Sequence, residues 1–326
     1  MQDNYQTGQT GPNNAKGRLA IVTGGVGPER SGALLSGRHV AEACNSLGIA
    51  TSVYDSAELD FSKLVNCRGA FLTTHGWYGE DGKLQGVLDL LRVPYSGSGV
   101  AASAAAYFKP FANAIAVTAG LRVPKSHLVD MRFGESFDAS YLYANLGPQI
   151  FVKPASNGCS LGAQILDSSA ATRDWLSEAA TTECPIYVAA KYINGRDVSA
   201  GVIEIDGVPT ILPLLETRHL HQFYSHQVKR DSSLREHICP ANISPRAEQQ
   251  LRTDALLIYK ALGCRGFARI DFIVSGDIVW FLEVNSLPGF SRNGNLAQMG
   301  YAHGWTYSEM IARLISTMDP SSCYRP

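Results

Sequence analysis

Two apolar segments near the C-terminus, GFARIDFIV (266–274) and DIVWFLEVN (277–285), constrain this chain most: they read as the strands of one hairpin with polar residues at alternate positions. Side chains two residues apart on a strand point to the same face. Arg269 and Asp271 therefore share a face, and Glu283 and Asn285 share a face on the neighbouring strand. Three of the four are hard oxygen ligands. That set suits Mg²⁺, which takes one or two carboxylates and fills its shell with phosphate and water oxygens. The competing explanation is a solvated sheet face. Such a face rarely carries only oxygen ligands plus an arginine beside a turn like NSLPG (285–289).

Upstream the pattern changes. RLAIVTGG (18–25) is an apolar strand running into glycines, and Leu34, Gly37, Val40, Ala41, Cys44 and Leu47 then recur at near-helical spacing. ATSVYD (50–55) and GAFLTT (69–74) read as strands, LQGVLDLL (84–91) as a helix, and VPYSGSG (93–99) as a strand ending in a turn. This ordering predicts an α/β unit with a mainly parallel sheet. In such sheets ligands bind beyond the carboxyl ends of the strands, here the loops TGGVGPERS, HGWYGEDG and YSGSGV.

A small α+β unit follows. It holds a helix over 110–120, then FVKPASNGCSLGAQIL (151–166) with a strand on each side of a small-residue loop, then the strand IYVAAKYI (186–193). VSAGVIEIDGVPTILPLL (198–215) reads as a hairpin turning at Asp206-Gly207. Residues 216–240 are polar and poorly patterned, either a mobile active-site loop or plain surface. Ser244 and Pro245 start a helix whose buried face carries Ala247, Leu251, Ala255, Ile258 and Leu262. The expected organisation is a disordered lead-in (1–16), an N-terminal α/β substrate-binding domain (17–108), a central unit (109–188) and a C-terminal catalytic unit (189–326).

Lys and Arg total 28 against 29 Asp and Glu. With no basic field, neither nucleic acid nor an anionic membrane is an expected partner, and any phosphate site must use a few placed cations. The seven cysteines are scattered and none forms a CxxC pair, which fits reduced cytosolic thiols and not a disulfide framework or zinc site. The polar N-terminus lacks the apolar core of a signal peptide, and no apolar run reaches the ~20 residues that span a bilayer. A cytoplasmic protein is expected.

In FVKPASNGCSLG, Lys153 ends an apolar strand and small residues follow, with glycines at 158 and 162. Small residues let backbone N–H groups approach a phosphate, and the lysine adds a point charge. The order is not that of a Walker A motif, and a glycine-rich surface turn explains it equally well. Lys109 opens a helix and Lys229 lies in the polar stretch; a lone lysine is more often surface than ligand. His75 precedes GWYGEDG and can be a simple hydrogen-bonded loop histidine. Glu29 stands at an expected helix start, where the dipole favours a carboxylate in any case.

Taken in order, these motifs resemble the D-alanine:D-alanine ligase family of ATP-grasp enzymes, from about residue 18 to 315. TGGVGPERSGALLSG is similar to the family's first loop and HGWYGEDGKLQGVLDLLRVPYSGSGVAAS to its second signature. FVKPASNGCSLG is similar to its central glycine-rich loop, and GCRGFARIDF with FLEVNSLPGF to its catalytic hairpin. The resemblance implies a three-domain ATP-grasp fold, α/β and α+β, with an N-terminal parallel-sheet domain. It implies ATP and two Mg²⁺ ions, release of ADP and phosphate, amino-acid or amino-acid-like substrates, and a homodimer.

By the same resemblance, Lys109 and Lys153 meet the ATP phosphates, and Lys191, Tyr192 and Leu282 line the adenine pocket. Asp197 holds the ribose and Lys229 reaches the γ-phosphate. Asp271, Glu283 and Asn285 bind the metals. Arg269 and the Gly289 N–H stabilise an oxyanion. Glu29 and His75 lie by the first substrate's amino group.

Departures from the family fall at the amino-acid sites. Cys159, beside Ser160, stands where the family usually has serine, and Arg230 where it usually has tyrosine. After NSLPGF the chain reads SRNGNL (291–296), one residue longer, with Asn295 before Leu296 where a Ser-Leu pair is usual. The expectation is a carboxylate–amine ligase acting on something other than two D-alanines, making an unusual dipeptide or closing an amide ring. The alternatives are a cell-wall D-alanine:D-alanine ligase, and a non-catalytic nucleotide-binding protein, against which the retained Arg269 argues.

Overall fold

The computed structural model describes residues 17–132, 137–182 and 185–318, and only the backbone of Arg230. The lead-in expected over 1–16 lies outside the described residues. β1 (Leu19–Thr23), α1 (Arg30–Ser46), β2 (Thr51–Asp55) and β3 (Gly69–Leu72) give a parallel sheet of order β2-β1-β3. β1 is buried along its whole length, so its sequence shows an apolar run without alternation. α2 (Lys83–Leu91) follows. The strand expected over 93–99 is a single parallel bridge between Ala70 and Tyr95. The Pro94 carbonyl accepts from Ala70, but proline has no N–H with which to extend a ladder.

α3 (Val100–Tyr107) and α4 (Lys109–Thr118) meet at Phe108, which is extended, so Lys109 is the first residue of α4. Ala106, Ala112 and Ala116 pack in one core with Ile258, Phe272 and Phe281 of the C-terminal unit. The central sheet comes from β4 (Ser126–Asp130), α5 (Ala139–Leu146), β5 (Ile150–Pro154), β6 (Gln164–Leu166), α6 (Ser169–Ala179) and β7 (Ile186–Lys191). Its order is β4-β7-β5-β6, antiparallel throughout. β7 runs to Lys191, past the expected boundary at 188.

The C-terminal unit contains β8 (Arg196–Ile205), β9 (Val208–Ile211), β10 (Leu215–His219), α7 (His226–Arg230), β11 (Arg235–Ile238), α8 (Pro245–Ala261), β12 (Phe267–Ser275) and β13 (Ile278–Asn285). Its sheet has the order β11-β10-β8-β12-β13, with β9 also on β8. The stretch 216–240, unpatterned by sequence, therefore holds a paired hairpin and a short helix. Its strands, LETRH and REHI, carry polar or charged residues at most positions, so hydrophobic periodicity could not reveal them. α9 (Asn295–Ala302) and α10 (Tyr307–Ser316) return to the N-terminal sheet, where Met299, Met310 and Ile311 share a core with Ile21, Phe71 and Phe290. That return brings the NSLPGF turn against the loop that carries His75.

Candidate active site

The hairpin expected over 266–285 forms, and its register brings the two polar pairs together. Arg269 lies opposite Asn285 and Asp271 opposite Glu283, with a β-bulge just after Asp271. Arg269 grips Asp271 through Nε (2.8 Å to Oδ1) and Nη2 (2.9 Å to Oδ2). Ser199 donates to Oδ1 at 2.7 Å and Asn285 to Oδ2 at 3.0 Å. Burial opposes the Arg269 charge, but Asp271 outweighs it and holds the guanidinium above its ordinary value.

Glu283 Oε2 stands 3.5 Å from Lys153 Nζ and 3.9 Å from Lys109 Nζ. Burial alone would push its carboxyl up; Lys153 and Lys109 overcome this and hold it well below the usual carboxylate range. Burial pulls Lys109 down to about 8, with Glu283 working against that shift. Lys109 Nζ also donates to the Asn157 carbonyl at 2.6 Å. Lys153 Nζ reaches the Leu282 carbonyl at 3.4 Å.

These groups floor a cleft between the central and C-terminal sheets, with about 1100 Å³ of space including its mouth. Its walls are largely apolar, among them Phe151, Val188, Phe272 and Leu282, and Lys191, Tyr192, Asp197 and Lys229 stand at its edges. A flat apolar slot leading to lysines and carboxylates is the shape and chemistry of a nucleoside triphosphate site. The structure adds a residue that the sequence reading missed: His219 pairs with Asp197 at 3.0 Å.

The other end of the site is built from three loops. Glu29 caps α1 through its carbonyl, which accepts from the Ala33 N–H, while its side chain makes no bond to the helix. It accepts the Cys159 thiol proton at 2.9 Å, and a Cβ on Gly76 or Gly158 would collide with its Oε2. Burial, then the nearby Glu29 charge, push the Cys159 thiol up to about 12, so it remains a donor. Cys159 and Ser160 both adopt left-handed backbone, and Ser160 donates to the Tyr224 carbonyl. Glu80, also unassigned by sequence, is buried and accepts from the Gly76 N–H at 2.9 Å. Burial, then Glu29, push it up to about 8.

His75 is committed at both nitrogens, Nδ1 to the Leu287 carbonyl at 3.1 Å and Nε2 to Ser36 Oγ at 3.0 Å. A carbonyl only accepts, so Nδ1 carries the proton and the Ser36 hydroxyl donates to Nε2. Ser36 Oγ in turn accepts from the Phe290 N–H. Burial pulls the ring's basicity down, as a neutral imidazole requires. His75 thus ties the first domain to the NSLPGF turn. Gly289 has open space where a side chain would stand.

Asn295 is the first residue of α9, whose initial N–H groups have no partner within the helix. The Leu296 side chain is fully buried in the core, which leaves its backbone as the part able to meet a ligand. The Arg230 side chain lies outside the described residues.

Two facing carboxylates and an amide beside three lysines fit Mg²⁺ held jointly with phosphates. Among the described residues no three His, Cys, Asp or Glu side chains converge, so no all-protein cage for a transition metal competes. No single described helix is long and apolar enough to cross a membrane.

A nucleotide cleft between two antiparallel sheets, ending on a carboxylate pair and a buried arginine, defines an ATP-grasp ligase. Such enzymes join a carboxylate to an amine and release ADP and phosphate. The family described as "D-ala D-ala ligase C-terminus" matches residues 121–316. The D-alanine–D-alanine ligase of Fervidobacterium nodosum is 32% identical over 317 residues, covering 91% of this chain and 97% of that protein. That of Desulforudis audaxviator is 33% identical over 301 residues, with the same coverage of 91% and 97%. The D-alanine–D-alanine ligase from Bacillus anthracis complexed with ATP superposes with a TM-score of 0.80 at 26% identity, covering 92% of this chain and 97% of that one. The VanG D-Ala:D-Ser ligase from Enterococcus faecalis gives 0.77 at 26% identity, covering 93% and 100%. The chain belongs to the D-alanine–D-alanine ligase family.

Proposed function

We propose that this ligase couples two amino acids, or amino-acid-like substrates, that are not both D-alanine. The observation that carries this reading is the Ser291–Gly294 turn. Arg292 pins it to α1 and α10: its guanidinium meets Glu42 Oε2 at 3.1 Å and lies 4.7 Å from the Tyr307 ring centre. Its N–H donates to His39 Nδ1 and its carbonyl accepts from Tyr301 Oη. This one-residue-longer turn sets where α9 begins, and α9 is where the second substrate's carboxylate would meet the Asn295 and Leu296 N–H groups. One structural neighbour is a D-Ala:D-Ser ligase, which supports a substrate pair other than two D-alanines on this fold.

In the proposed roles, Lys109 and Lys153 bind the phosphates, and Lys229 closes on the γ-phosphate. Lys191, Tyr192 and Leu282 surround the base, and Asp197 meets the ribose. Asp271, Glu283 and Asn285 hold two Mg²⁺ ions, which when bound neutralise charge on the transferring phosphoryl group. The first carboxylate takes the γ-phosphoryl group, and the acyl phosphate so formed is open to attack by the second amine. The Arg269–Asp271 pair uses Nε and Nη2, so Nη1 is the nitrogen left to face the tetrahedral oxyanion, together with the Gly289 N–H. Glu29 attracts the first substrate's ammonium, and His75 shapes that site from behind. Cys159 and Ser160 border it. The free cysteines support a cytoplasmic home.

A second reading, a D-alanine–D-alanine ligase proper, is favoured by the full-length match to curated enzymes of that name. An ADP-release screen at saturating MgATP, with D- and L-amino acids singly and in pairs, separates the two. The proposal requires a pair with higher kcat/KM than D-alanine with itself. D-alanine outperforming every other pair would establish the second reading.

A further inference from the structure

His219 lies at the end of β10 with its side chain 8% exposed, and nothing in the roles above uses it. Its Nε2 is 3.0 Å from Asp197 Oδ2, and its Nδ1 is 3.0 Å from the His221 carbonyl oxygen. A carboxylate and a carbonyl both accept only. A ring facing acceptors on both sides must donate from both nitrogens, and only the imidazolium does so.

The same ring stacks on Tyr224, with centres 5.8 Å apart and planes 12° from parallel. Lys229 Nζ lies 5.0 Å from the Tyr224 ring centre. A continuous chain of contacts therefore runs from Asp197 through His219 and Tyr224 to Lys229. The helix bearing Lys229 is held elsewhere as well: Arg235 Nη1 donates to the Val228 and Lys229 carbonyls at 2.6 and 2.7 Å, and His226 donates to the Cys159 carbonyl.

We propose that His219, held as an imidazolium, is a positioning residue that seats Asp197 and the Tyr224–Lys229 segment in the arrangement that accepts a nucleoside triphosphate. This rests on the reading that Asp197 and Lys229 meet the nucleotide. Physically, the ring does two things at once. It fixes the Asp197 rotamer by a charge-assisted bond, stronger than a neutral one, and it offers Tyr224 a cationic stacking partner.

The groups facing the ring are Asp197 on β8, Arg235 opposite on β11, Tyr224 and Lys229 from the loop, and His221 beside it. Asp197 is the acid among them, and its hydrogen bond raises the ring's proton affinity above that of an ordinary histidine, against burial. The sign follows: a raised value in the folded state means the contribution is complete below the ordinary histidine value. It is lost as pH rises through the raised one.

The test begins with the ring itself. Long-range ¹⁵N–¹H NMR of the full chain at pH 7, with His219 assigned by its loss in His219→Gln, should show both ring nitrogens protonated; a neutral ring overturns the proposal. Kinetically, His219→Gln should raise KM for MgATP about tenfold, the effect of losing one charge-assisted hydrogen bond, and leave KM for the amino acids unchanged. His219→Arg keeps a permanent planar cation and should recover most of that loss. An unchanged KM for MgATP in His219→Gln, an equal rise for every substrate, or an arginine variant no better than the glutamine one overturns the positioning role. Failure of the underlying reading looks different: Asp197→Asn and Lys229→Ala would then leave KM for MgATP untouched while the NMR result stands.

Discussion

Glu283→Gln removes a charge and keeps the shape, and the structure allows its effect to be worked out. Glu283 Oε2 is shared by Lys153 at 3.5 Å and Lys109 at 3.9 Å, and the lysine side chains are only 15% and 8% exposed. At an effective dielectric of about 20, one such pair near 4 Å carries about 4 kcal/mol of attraction. Without the carboxylate, two buried ammonium groups face each other with no acid between them. The cheapest escape is for Lys109 to shed its proton, since burial already pulls it down to about 8. Discharging it at pH 7 costs on the order of 1 kcal/mol, roughly one pH unit's worth, since the Glu283 charge that supported its proton is gone. If the charge cannot escape, breaking a buried pair costs about 3–5 kcal/mol.

Thermal or urea unfolding of the nucleotide-free variant should therefore show a loss between those limits. Catalysis should suffer more, because the proposed metal site would keep one carboxylate of two. On the order of a 10³-fold fall in kcat, equivalent to about 4 kcal/mol of barrier, is expected, with a raised Mg²⁺ requirement in a coupled ADP-release assay. Near wild-type turnover at limiting Mg²⁺ would remove Glu283 from the metal site. An unchanged unfolding free energy would refute the charge argument on which the rest depends.

Cys159 should resist alkylation: with its thiol pushed up to about 12, the thiolate at pH 8 is rarer than for an ordinary cysteine by on the order of 10³-fold. Peptide mass mapping after iodoacetamide treatment checks this, and labelling of Cys159 as fast as a free thiol would show that burial and Glu29 do not hold the thiol protonated. Ser36→Ala leaves the Phe290 N–H and His75 Nε2 without their partner. A stability loss of about 1–3 kcal/mol should appear in urea titration together with reduced kcat; no change in either would disconnect His75 from the turn. Thr306 and Glu309 form a capping box on α10, so Thr306→Ala should lower the unfolding free energy by about 1 kcal/mol without altering KM for any substrate, and an altered KM would show that α10 acts on the site.

What the sequence shows here depends on whether local pattern and chemistry coincide. The hairpin over 266–285 was legible in its strands and faces, because a period of two pairs Arg269 with Asp271 and Glu283 with Asn285 whatever surrounds them; the register, with its bulge after Asp271, was not. β1 and α1 were legible from an apolar run and a helical stripe. β10 and β11 were not, since β10 is held between β8 and β11 by backbone pairing, and its Glu216 is buried through hydrogen bonds and ion pairs, not as an apolar side chain would be. Glu80 was visible in GWYGEDG but gave no signal apart from the loop around it. Its burial comes from a fold-back onto the Gly76 N–H that spacing cannot announce. The contacts that single out Ser36 and His219 are with residues distant in sequence, His75 and Asp197. Neither serine on a helix nor histidine in a polar stretch carries a local mark of such a role.

The contacts inside the cleft also imply how nucleotide and metal must arrive. Both Asp271 oxygens are engaged, Oδ1 by Arg269 Nε and Ser199, Oδ2 by Arg269 Nη2 and Asn285. A carboxylate has about four lone-pair sites, so Asp271 keeps little free for a cation. Glu283 is neutralised by Lys109 and Lys153. Those are the same lysines that, in the proposed roles, bind phosphates. A divalent ion approaching alone must displace a guanidinium from one carboxylate or compete with two ammonium groups at the other. Phosphates change that balance: by drawing Lys109 and Lys153 away, they release Glu283, and their own oxygens complete a shell that two carboxylates and an amide cannot fill. The arrangement therefore favours metal entering with the triphosphate over metal binding first. The cations that pair with Glu283 are then the ones that sense the nucleotide.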